Sequence, residues 1–216
     1  PLTLPFLPGA KRRTHAARYA YTQKVAHAWA NSLLRLAGVK VRMTGQEHIP
    51  ADQPVVFIAN HQGNFDVPIL LGKIDKPKAF ISKIEVNKIP IVNVWMNLMG
   101  CVMIDRKDRR QSLKAIRAGI DTIKDGQSMI IFPEGTRSKG GPVAEFKAGS
   151  FTLATSSGAL VVPIAISGSY RVMEETGRIR PATVDVTILK PIDPTSMSQK
   201  ERSEERRVGK ECRSRW

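Results

Sequence analysis

Residues 55–66 read VVFIANHQGNFD, and this stretch decides the fold that we expect. Its first five residues form an apolar run that is typical of a buried strand. The strand is predicted to end near Asn60 and to pass through a short turn that contains Gly63. A helix is then predicted to begin near Asp66, with Pro68 in its first turn. The stretch therefore predicts a strand, a tight turn and a helix in direct succession.

The rest of the chain continues this alternation, which predicts an α/β fold with a central sheet that is mainly parallel and flanked by helices. Strands are predicted near residues 39–43, 55–59, 79–82, 101–104, 128–132, 160–166 and 183–189. The clearest helix is predicted from Arg109 to Asp125, with Gly126 as its stop. Its apolar stripe consists of Leu113, Ile116, Ile120 and Ile123. We expect this helix to cover a face of the sheet.

An amphipathic helix is also predicted ahead of the sheet, from Lys24 to Leu36, with Gly38 as its stop. Its apolar stripe consists of Val25, Trp29, Leu33 and Leu36. Two interpretations stay open. The helix lies on an anionic bilayer, aided by the basic residues 11–13, or it packs on its own domain.

The composition points to an anionic partner. The 216 residues include 34 Lys and Arg against 19 Asp and Glu, which gives a net charge of +15. Such a charge fits nucleic acid, an anionic bilayer or a phosphorylated substrate. Aromatic residues make up only 6%, and there is no basic recognition helix, so we predict no nucleic-acid partner. Cys101 and Cys212 define no disulfide framework, and no Cys/His/Asp cluster has metal-ligand spacing, so we predict no metal.

His61 and Asp66 form a candidate catalytic pair at the end of the first quoted strand. A histidine titrates near pH 6.5, and a carboxylate bonded to one ring nitrogen leaves the other free to accept a proton. On one continuous helix the two side chains would lie on different faces, so the predicted turn is needed to bring them together. The alternative is that Asp66 is only a helix N-cap and His61 a surface loop residue.

A second strand end carries FPEGTRS at residues 132–138. With His61 and Asp66 before it, the sequence resembles the glycerolipid acyltransferase family, whose motifs include Asn-His, four residues, Asp and Phe-Pro-Glu-Gly-Thr-Arg. Two further family motifs match GCVMIDR at residues 100–106 and VVPIAI at residues 161–166. The order of the four motifs also agrees, and the resemblance is closest to the 1-acylglycerol-3-phosphate acyltransferases, which make phosphatidic acid.

The resemblance covers about residues 39–190 and implies three segments. Residues 1–38 are expected to be a membrane-proximal helical segment, truncated at its N-terminus, and residues 39–201 an acyltransferase domain. Residues 202–216, RSEERRVGKECRSRW, have no apolar periodicity and read as the translation of a sequencing adapter, so we expect this tail not to be biological. Its removal would lower the net charge from +15 to +12, because it holds six basic and three acidic residues.

The resemblance implies that His61 takes the proton from a glycerol hydroxyl while Asp66 holds its tautomer. No G-x-S-x-G turn is present, and Cys101 lies in an apolar strand, so direct acyl transfer is expected. If the strands are parallel, the residues that follow them gather at one edge of the sheet. The expected phosphate ligands there are Arg137 and Arg106, with Lys83 and Lys147 as further candidates. For each cation the alternative is a solvated surface charge.

Three further site residues follow from the same motif, namely Glu134, Gly135 and Thr136. Glu134 is expected to bond the substrate or to hold Arg137. Backbone N–H groups near Gly135 and Thr136, or in residues 161–166, are candidates to stabilise the oxyanion. Residues 89–99, with Trp95, Met96 and Met99, either line an acyl-chain groove or pack in the core.

The function implied is transfer of an acyl group from acyl-CoA or acyl carrier protein to the sn-2 hydroxyl of lysophosphatidic acid. No cofactor is expected. The remaining partner is an anionic membrane surface, and the expected location is the cytoplasmic face of the cell membrane. Three alternatives stay open: another acceptor, such as glycerol 3-phosphate or a different lysophospholipid; a hydrolase; and a non-catalytic lipid-binding protein.

Overall fold

The computed structural model describes residues 4–6, 8–9, 14–147 and 149–194. Its strands are β1 (Lys40–Thr44), β2 (Val55–Ala59), β3 (Lys78–Lys83), β4 (Val102–Ile104), β5 (Ser128–Ile131), β6 (Leu160–Ser167) and β7 (Thr183–Ile188). Its main helices are α1 (His15–Leu36), α2 (Asp66–Lys73), α3 (Val92–Leu98), α4 (Arg109–Lys124) and α5 (Gly149–Ser157). Residues 11–13 and the predicted tail, residues 202–216, lie outside the described residues.

The seven strands form one sheet in the order β1-β7-β6-β2-β5-β3-β4. β6 and β7 pair antiparallel, and the other neighbouring strands pair parallel. Consequently β6, β2, β5, β3 and β4 point the same way and bring their carboxyl ends to one edge. The predicted α/β fold with a mainly parallel central sheet is confirmed, and each predicted apolar run overlaps a strand.

The two middle strands are buried on both faces. All five residues of β2 are at most 1% exposed, and every residue of β5 is buried. Helices supply this cover, with α1 packed on α2 and α4 packed on α5. A strand covered on both faces has a continuous apolar sequence instead of an alternating one, which explains why VVFIA stands out.

Helix α1 begins nine residues before the predicted Lys24, at His15, and it packs through a different face from the one predicted. Trp29 and Leu36 of the predicted stripe are 36% and 82% exposed. The buried side is made instead of Ala26, Ala30, Leu34 and Ala37. A side chain added at Gly72 of α2 would come within 3.3 Å of Ala30, so the two helices approach too closely for large residues between them.

Helix α4 ends at Lys124, one residue short of the prediction, and its predicted stripe is wrong at one position. Leu113 is 57% exposed, whereas Ala115, Gly119 and Ile123 are buried. A Cβ at Gly119 would lie 2.9 Å from Leu153 of α5, so the small residues allow close contact there and turn Leu113 outward. In the described part of the chain, none of the helices combines the length and the apolar character needed to cross a membrane.

Candidate active site

His61 lies just beyond the carboxyl end of β2, and the turn that follows brings Asp66 against its ring. Nδ1 of His61 lies 2.7 Å from Oδ2 of Asp66. The Asp66 side chain is fully buried, while that of His61 is 19% exposed. A carboxylate only accepts hydrogen bonds, so Nδ1 carries the proton and Nε2 keeps its lone pair. The pair therefore has the arrangement that a general base requires.

Asp66 also holds the turn in shape. Its Oδ2 accepts the backbone N–H groups of Gln62 and Gly63 at 2.7 and 2.9 Å. The alternative that Asp66 is an N-cap is wrong, because α2 begins at Asp66 itself and Phe65 occupies the cap position. The carboxylate faces back into the turn and fixes both the loop and the imidazole.

Glu134 joins the two motif loops to each other. Its Oε1 accepts the backbone N–H of His61 at 2.7 Å, and its Oε2 accepts that of Ala144 at 2.9 Å. Two backbone hydrogen bonds also connect these loops. The N–H of Ser138 donates to the His61 carbonyl, and the N–H of Lys139 donates to the Gln62 carbonyl. Burial raises the pKa of the Glu134 carboxyl above its ordinary value, and the hydrogen bonds from Ala144 and His61 oppose that rise.

Arg137 is paired with a residue that the sequence analysis did not identify. Its Nη1 lies 3.0 Å from Oε1 of Glu174 and donates to Oδ1 of Asn64 at 2.6 Å. The expectation that Glu134 holds Arg137 is therefore wrong, since the Glu134 carboxylate binds the backbone of His61 and Ala144 instead. The Glu174 side chain is only 4% exposed, against 35% for Arg137. Glu174 follows β6 by several residues in a segment without periodicity, so no sequence pattern marked it.

Arg106 and Lys147 meet at Gly135. Arg106 Nη1 donates to the Gly135 carbonyl, and Lys147 Nζ would lie 2.9 Å from a Cβ added at Gly135. Gly135 has φ +70°, a backbone conformation that favours glycine, and the close approach of Lys147 leaves little room for a side chain there. Desolvation lowers the pKa of Arg106, and the charge of Glu85 partly offsets it. Thr136, the next residue, is exposed.

Lys83 stands apart from these contacts. It ends β3, is exposed, and pairs in register with Ile104 of β4. The four expected phosphate ligands therefore lie at three places. Arg106 and Lys147 lie at Gly135, Arg137 lies beside Glu174, and Lys83 lies at the end of β3.

An apolar cleft of about 260 Å³ opens beside Gly135. Its apolar lining includes Ile81, Ile104, Leu113, Ile116, Ile131 and Phe132, and its cations are Arg106, Arg109 and Lys147. The ring of Phe132 stacks on the His61 imidazole with centroids 4.1 Å apart. Phe132 therefore contacts both the cleft and the His61 ring.

Comparison with known proteins identifies the family. Residues 40–167 match the family described as Acyltransferase. A chloroplastic 1-acyl-sn-glycerol-3-phosphate acyltransferase of Arabidopsis thaliana is 37% identical over 78% of this chain and 48% of its own length. A Mycoplasma pneumoniae protein named "Probable 1-acyl-sn-glycerol-3-phosphate acyltransferase" is 32% identical over 82% of this chain and 70% of its own. The chain belongs to the Acyltransferase family.

A solved structure supports the same assignment for this acyltransferase-family chain. The 1-acyl-sn-glycerophosphate (LPA) acyltransferase PlsC of Thermotoga maritima aligns with a TM-score of 0.77 and 31% identity, over 92% of this chain and 82% of that chain. The chain spans about half the length of the first curated relatives it matches, which it covers by 48%, 54% and 49%.

Two other expectations concern the surroundings of the acyltransferase-family site. Trp95 and Met99 are buried at 8% and 5% exposure and do not line the cleft, so core packing is the correct interpretation for both. Burial raises the pKa of the Cys101 thiol to about 12, which keeps this cysteine protonated and inert. Within residues 14–147 and 149–194, no cluster of three His, Cys, Asp or Glu side chains is arranged to hold a metal ion.

Proposed function

We propose that this chain transfers a fatty acyl group from a thioester donor to the sn-2 hydroxyl of lysophosphatidic acid, which gives phosphatidic acid. The observation that carries the proposal is the 2.7 Å contact between His61 Nδ1 and the fully buried Asp66 carboxylate. The names of the relatives support the choice of acceptor.

In this reaction Nε2 of His61 takes the proton of the sn-2 hydroxyl as the oxygen attacks the thioester carbonyl. A C–O bond forms, and the carbonyl becomes a tetrahedral oxyanion. The oxyanion then collapses, the C–S bond breaks, and the leaving thiolate takes the proton from the imidazolium. Asp66 stabilises the imidazolium while it exists, and a positioned general base of this kind typically contributes about 10²- to 10⁴-fold.

The acceptor phosphate is proposed to bind Arg137 and Arg106, with Lys147 beside Arg106 and Lys83 at the end of β3. Arg137 suits this role because Asn64 and Glu174 hold Nη1, and a guanidinium has further N–H groups for phosphate oxygens. For an acyl chain we propose the cleft lined by Phe132 and Ile116, in place of residues 89–99.

The donor is acyl-CoA or acyl carrier protein in this proposal, and the acceptor is presented at an anionic membrane surface. Trp29 and Leu36, which α1 leaves exposed, are suited to contact lipid there. The proposed location is the cytoplasmic face of the cell membrane. The non-biological origin of residues 202–216 stays a prediction, and resequencing the source DNA tests it.

The experiment is to measure phosphatidic acid formation from lysophosphatidic acid and palmitoyl-CoA or palmitoyl-acyl carrier protein in detergent micelles. His61→Ala is expected to lower kcat by about 10²-fold or more. Arg137→Ala is expected to raise KM for lysophosphatidic acid while high acceptor concentration restores the rate. His48→Ala serves as the matched control, because His48 lies at the far end of β7, where its Nδ1 contacts the Ile188 carbonyl.

The same assay separates the alternatives. Product from glycerol 3-phosphate or a different lysophospholipid, and not from lysophosphatidic acid, would reassign the acceptor. Release of free fatty acid in place of ester would indicate a hydrolase. A folded protein that makes no product with either donor and any of these acceptors, yet binds lipid vesicles, would leave the non-catalytic lipid-binding alternative.

A further inference from the structure

Helix α4 and the turn before it carry a dense set of cations. Residues 106–117 contain one acid, Asp108, and six basic residues: Arg106, Lys107, Arg109, Arg110, Lys114 and Arg117. All six basic residues are exposed. Asp108 is already engaged, since its Oδ1 accepts the N–H groups of Arg110 and Gln111 at the helix N-terminus. With six basic residues against this one acid, the segment keeps a clear excess of positive charge.

Among the described residues, these cations form no ion pair. In the part of the chain that the structure describes, the ion pairs involve Arg42, His48, His61 and Arg137, and none involves a residue of α4. Arg109, Arg110, Leu113, Lys114 and Arg117 follow the helical spacing of one face, which we call the basic face. From Arg109 to Arg117 it extends about 12 Å along the helix.

Leu113 gives this basic face an apolar centre. Its side chain is 57% exposed and also lines the cleft, as does that of Arg109. The cleft reaches Phe132, whose ring stacks 4.1 Å from that of His61. The basic face therefore borders the cleft that leads toward the proposed general base.

We propose that the basic face docks an acidic surface of the protein that carries the acyl thioester, so that the acyl chain enters the cleft beside Leu113. This inference rests on the proposed acyl transfer. Opposite charges on the two surfaces would steer the encounter, and the contact with Leu113 would fix how the carrier sits on α4. An anionic bilayer fits this face less well. Helices that bind at a bilayer surface insert several apolar side chains, and this face has only Leu113.

The test compares three palmitoyl donors with lysophosphatidic acid as acceptor: palmitoyl-acyl carrier protein, palmitoyl-CoA and the neutral palmitoyl thioester of N-acetylcysteamine. The variant is Lys114→Glu/Arg117→Glu, since neither residue lines the cleft. The matched control is Lys40→Glu/Lys190→Glu, which makes the same change in charge at two exposed lysines. Lys40 begins β1 and Lys190 follows β7, at the end of the strand order opposite to β4.

We expect the α4 variant to raise KM for palmitoyl-acyl carrier protein by about tenfold or more, and KM for the two small donors by less than about twofold. Added salt should weaken carrier-protein turnover in the parent more than in the variant. The control should leave all three KM values within about twofold.

Several results would overturn the docking proposal. They are an unchanged KM for the carrier-protein donor, an equal rise with palmitoyl-CoA, and a parent that uses only palmitoyl-CoA. A variant whose loss instead tracks weaker sedimentation with phosphatidylglycerol vesicles would assign the face to a bilayer. The proposed acyl transfer itself fails only if the parent makes no phosphatidic acid from any of the three donors, so the two failures are distinguishable.

Discussion

Glu174 and Arg137 form an ion pair of 3.0 Å between Oε1 and Nη1, and the same carboxylate oxygen accepts the backbone N–H of Asn64 at 2.8 Å. Asn64 belongs to the turn between His61 and Asp66, whereas Arg137 belongs to the other motif loop. One buried carboxylate thus fixes the proposed phosphate ligand relative to the proposed base. Its Oε2 has no hydrogen-bond partner among the described residues, so Oε1 carries both contacts.

Glu174→Ala is expected to raise KM for lysophosphatidic acid by about tenfold and to change kcat less, because Arg137 loses the contact that orients it. A hydrogen bond to a charged group contributes about 1.5–3 kcal/mol, which is enough for this effect. Steady-state kinetics with varied acceptor measures both parameters.

The matched control is Glu175→Ala, because Glu175 is the exposed neighbour and forms no ion pair in the described part of the chain. Equal effects of the two substitutions would contradict the role of Glu174. So would a loss confined to kcat, since that would place Glu174 in the chemical step.

Gly63→Ala is expected to destabilise the protein by about 1–3 kcal/mol, because the added methyl group would collide with Oε2 of Glu174. Urea unfolding measures the loss. Gly149→Ala is the control, since no atom lies within 4 Å of a Cβ added there. In the Glu174→Ala background Gly63→Ala should cost less, because the colliding atom is gone. Additive costs would show that the strain arises elsewhere.

The strands of this fold were predictable because buried parallel strands have continuous apolar sequences. VVFIA and the runs that overlap β5 and β6 are visible without any structure, and the turn residues after them mark the edge where the site lies. The parallel direction of the middle strands then places His61, Arg106 and Arg137 at that edge.

The helix faces and the second carboxylate were not predictable in the same way. Ala30 and Gly119 allow close helix contacts, so the buried faces of α1 and α4 follow small residues instead of the large apolar ones. Glu174 is 110 residues from Asn64 in sequence, and only the tertiary fold brings it to the turn. The periodicity of apolar residues shows which side of a helix is apolar, but it does not show how closely two helices approach each other.

Asp66→Asn is expected to lower kcat by about 10²- to 10⁴-fold with little change in KM for lysophosphatidic acid. The neutral amide has nearly the same size as the carboxylate, but it does not stabilise the imidazolium that forms in the reaction. Asp52→Asn is the control, because Asp52 is exposed and distant from the turn. A change in KM alone would mean that Asp66 shapes the acceptor site and does not support proton transfer.

Lys78 makes the stability of the fold depend on pH. Its side chain is fully buried at the start of β3, and Nζ donates to the carbonyls of Ile74 and Lys76 at 2.7 and 3.1 Å. Desolvation lowers the pKa of Lys78 to about 7, and the charge of Asp75 opposes the shift. An unfolded lysine titrates near 10.4, so between these two values the unfolded state binds more protons and the free energy of unfolding rises with pH.

Cys101 limits the window in which this rise is visible. Burial raises the pKa of its thiol to about 12 in the folded state, whereas an unfolded thiol titrates near 8.5, so stability from this residue is lost above about pH 8.5.

Between pH 7 and 8.5 we therefore expect the free energy of unfolding to rise by on the order of 1 kcal/mol. Urea unfolding at four pH values across this interval measures it. Lys78→Met should remove the rise, and Lys40→Met, at an exposed lysine, should retain it. A rise that persists in Lys78→Met would assign the pH dependence to a different group.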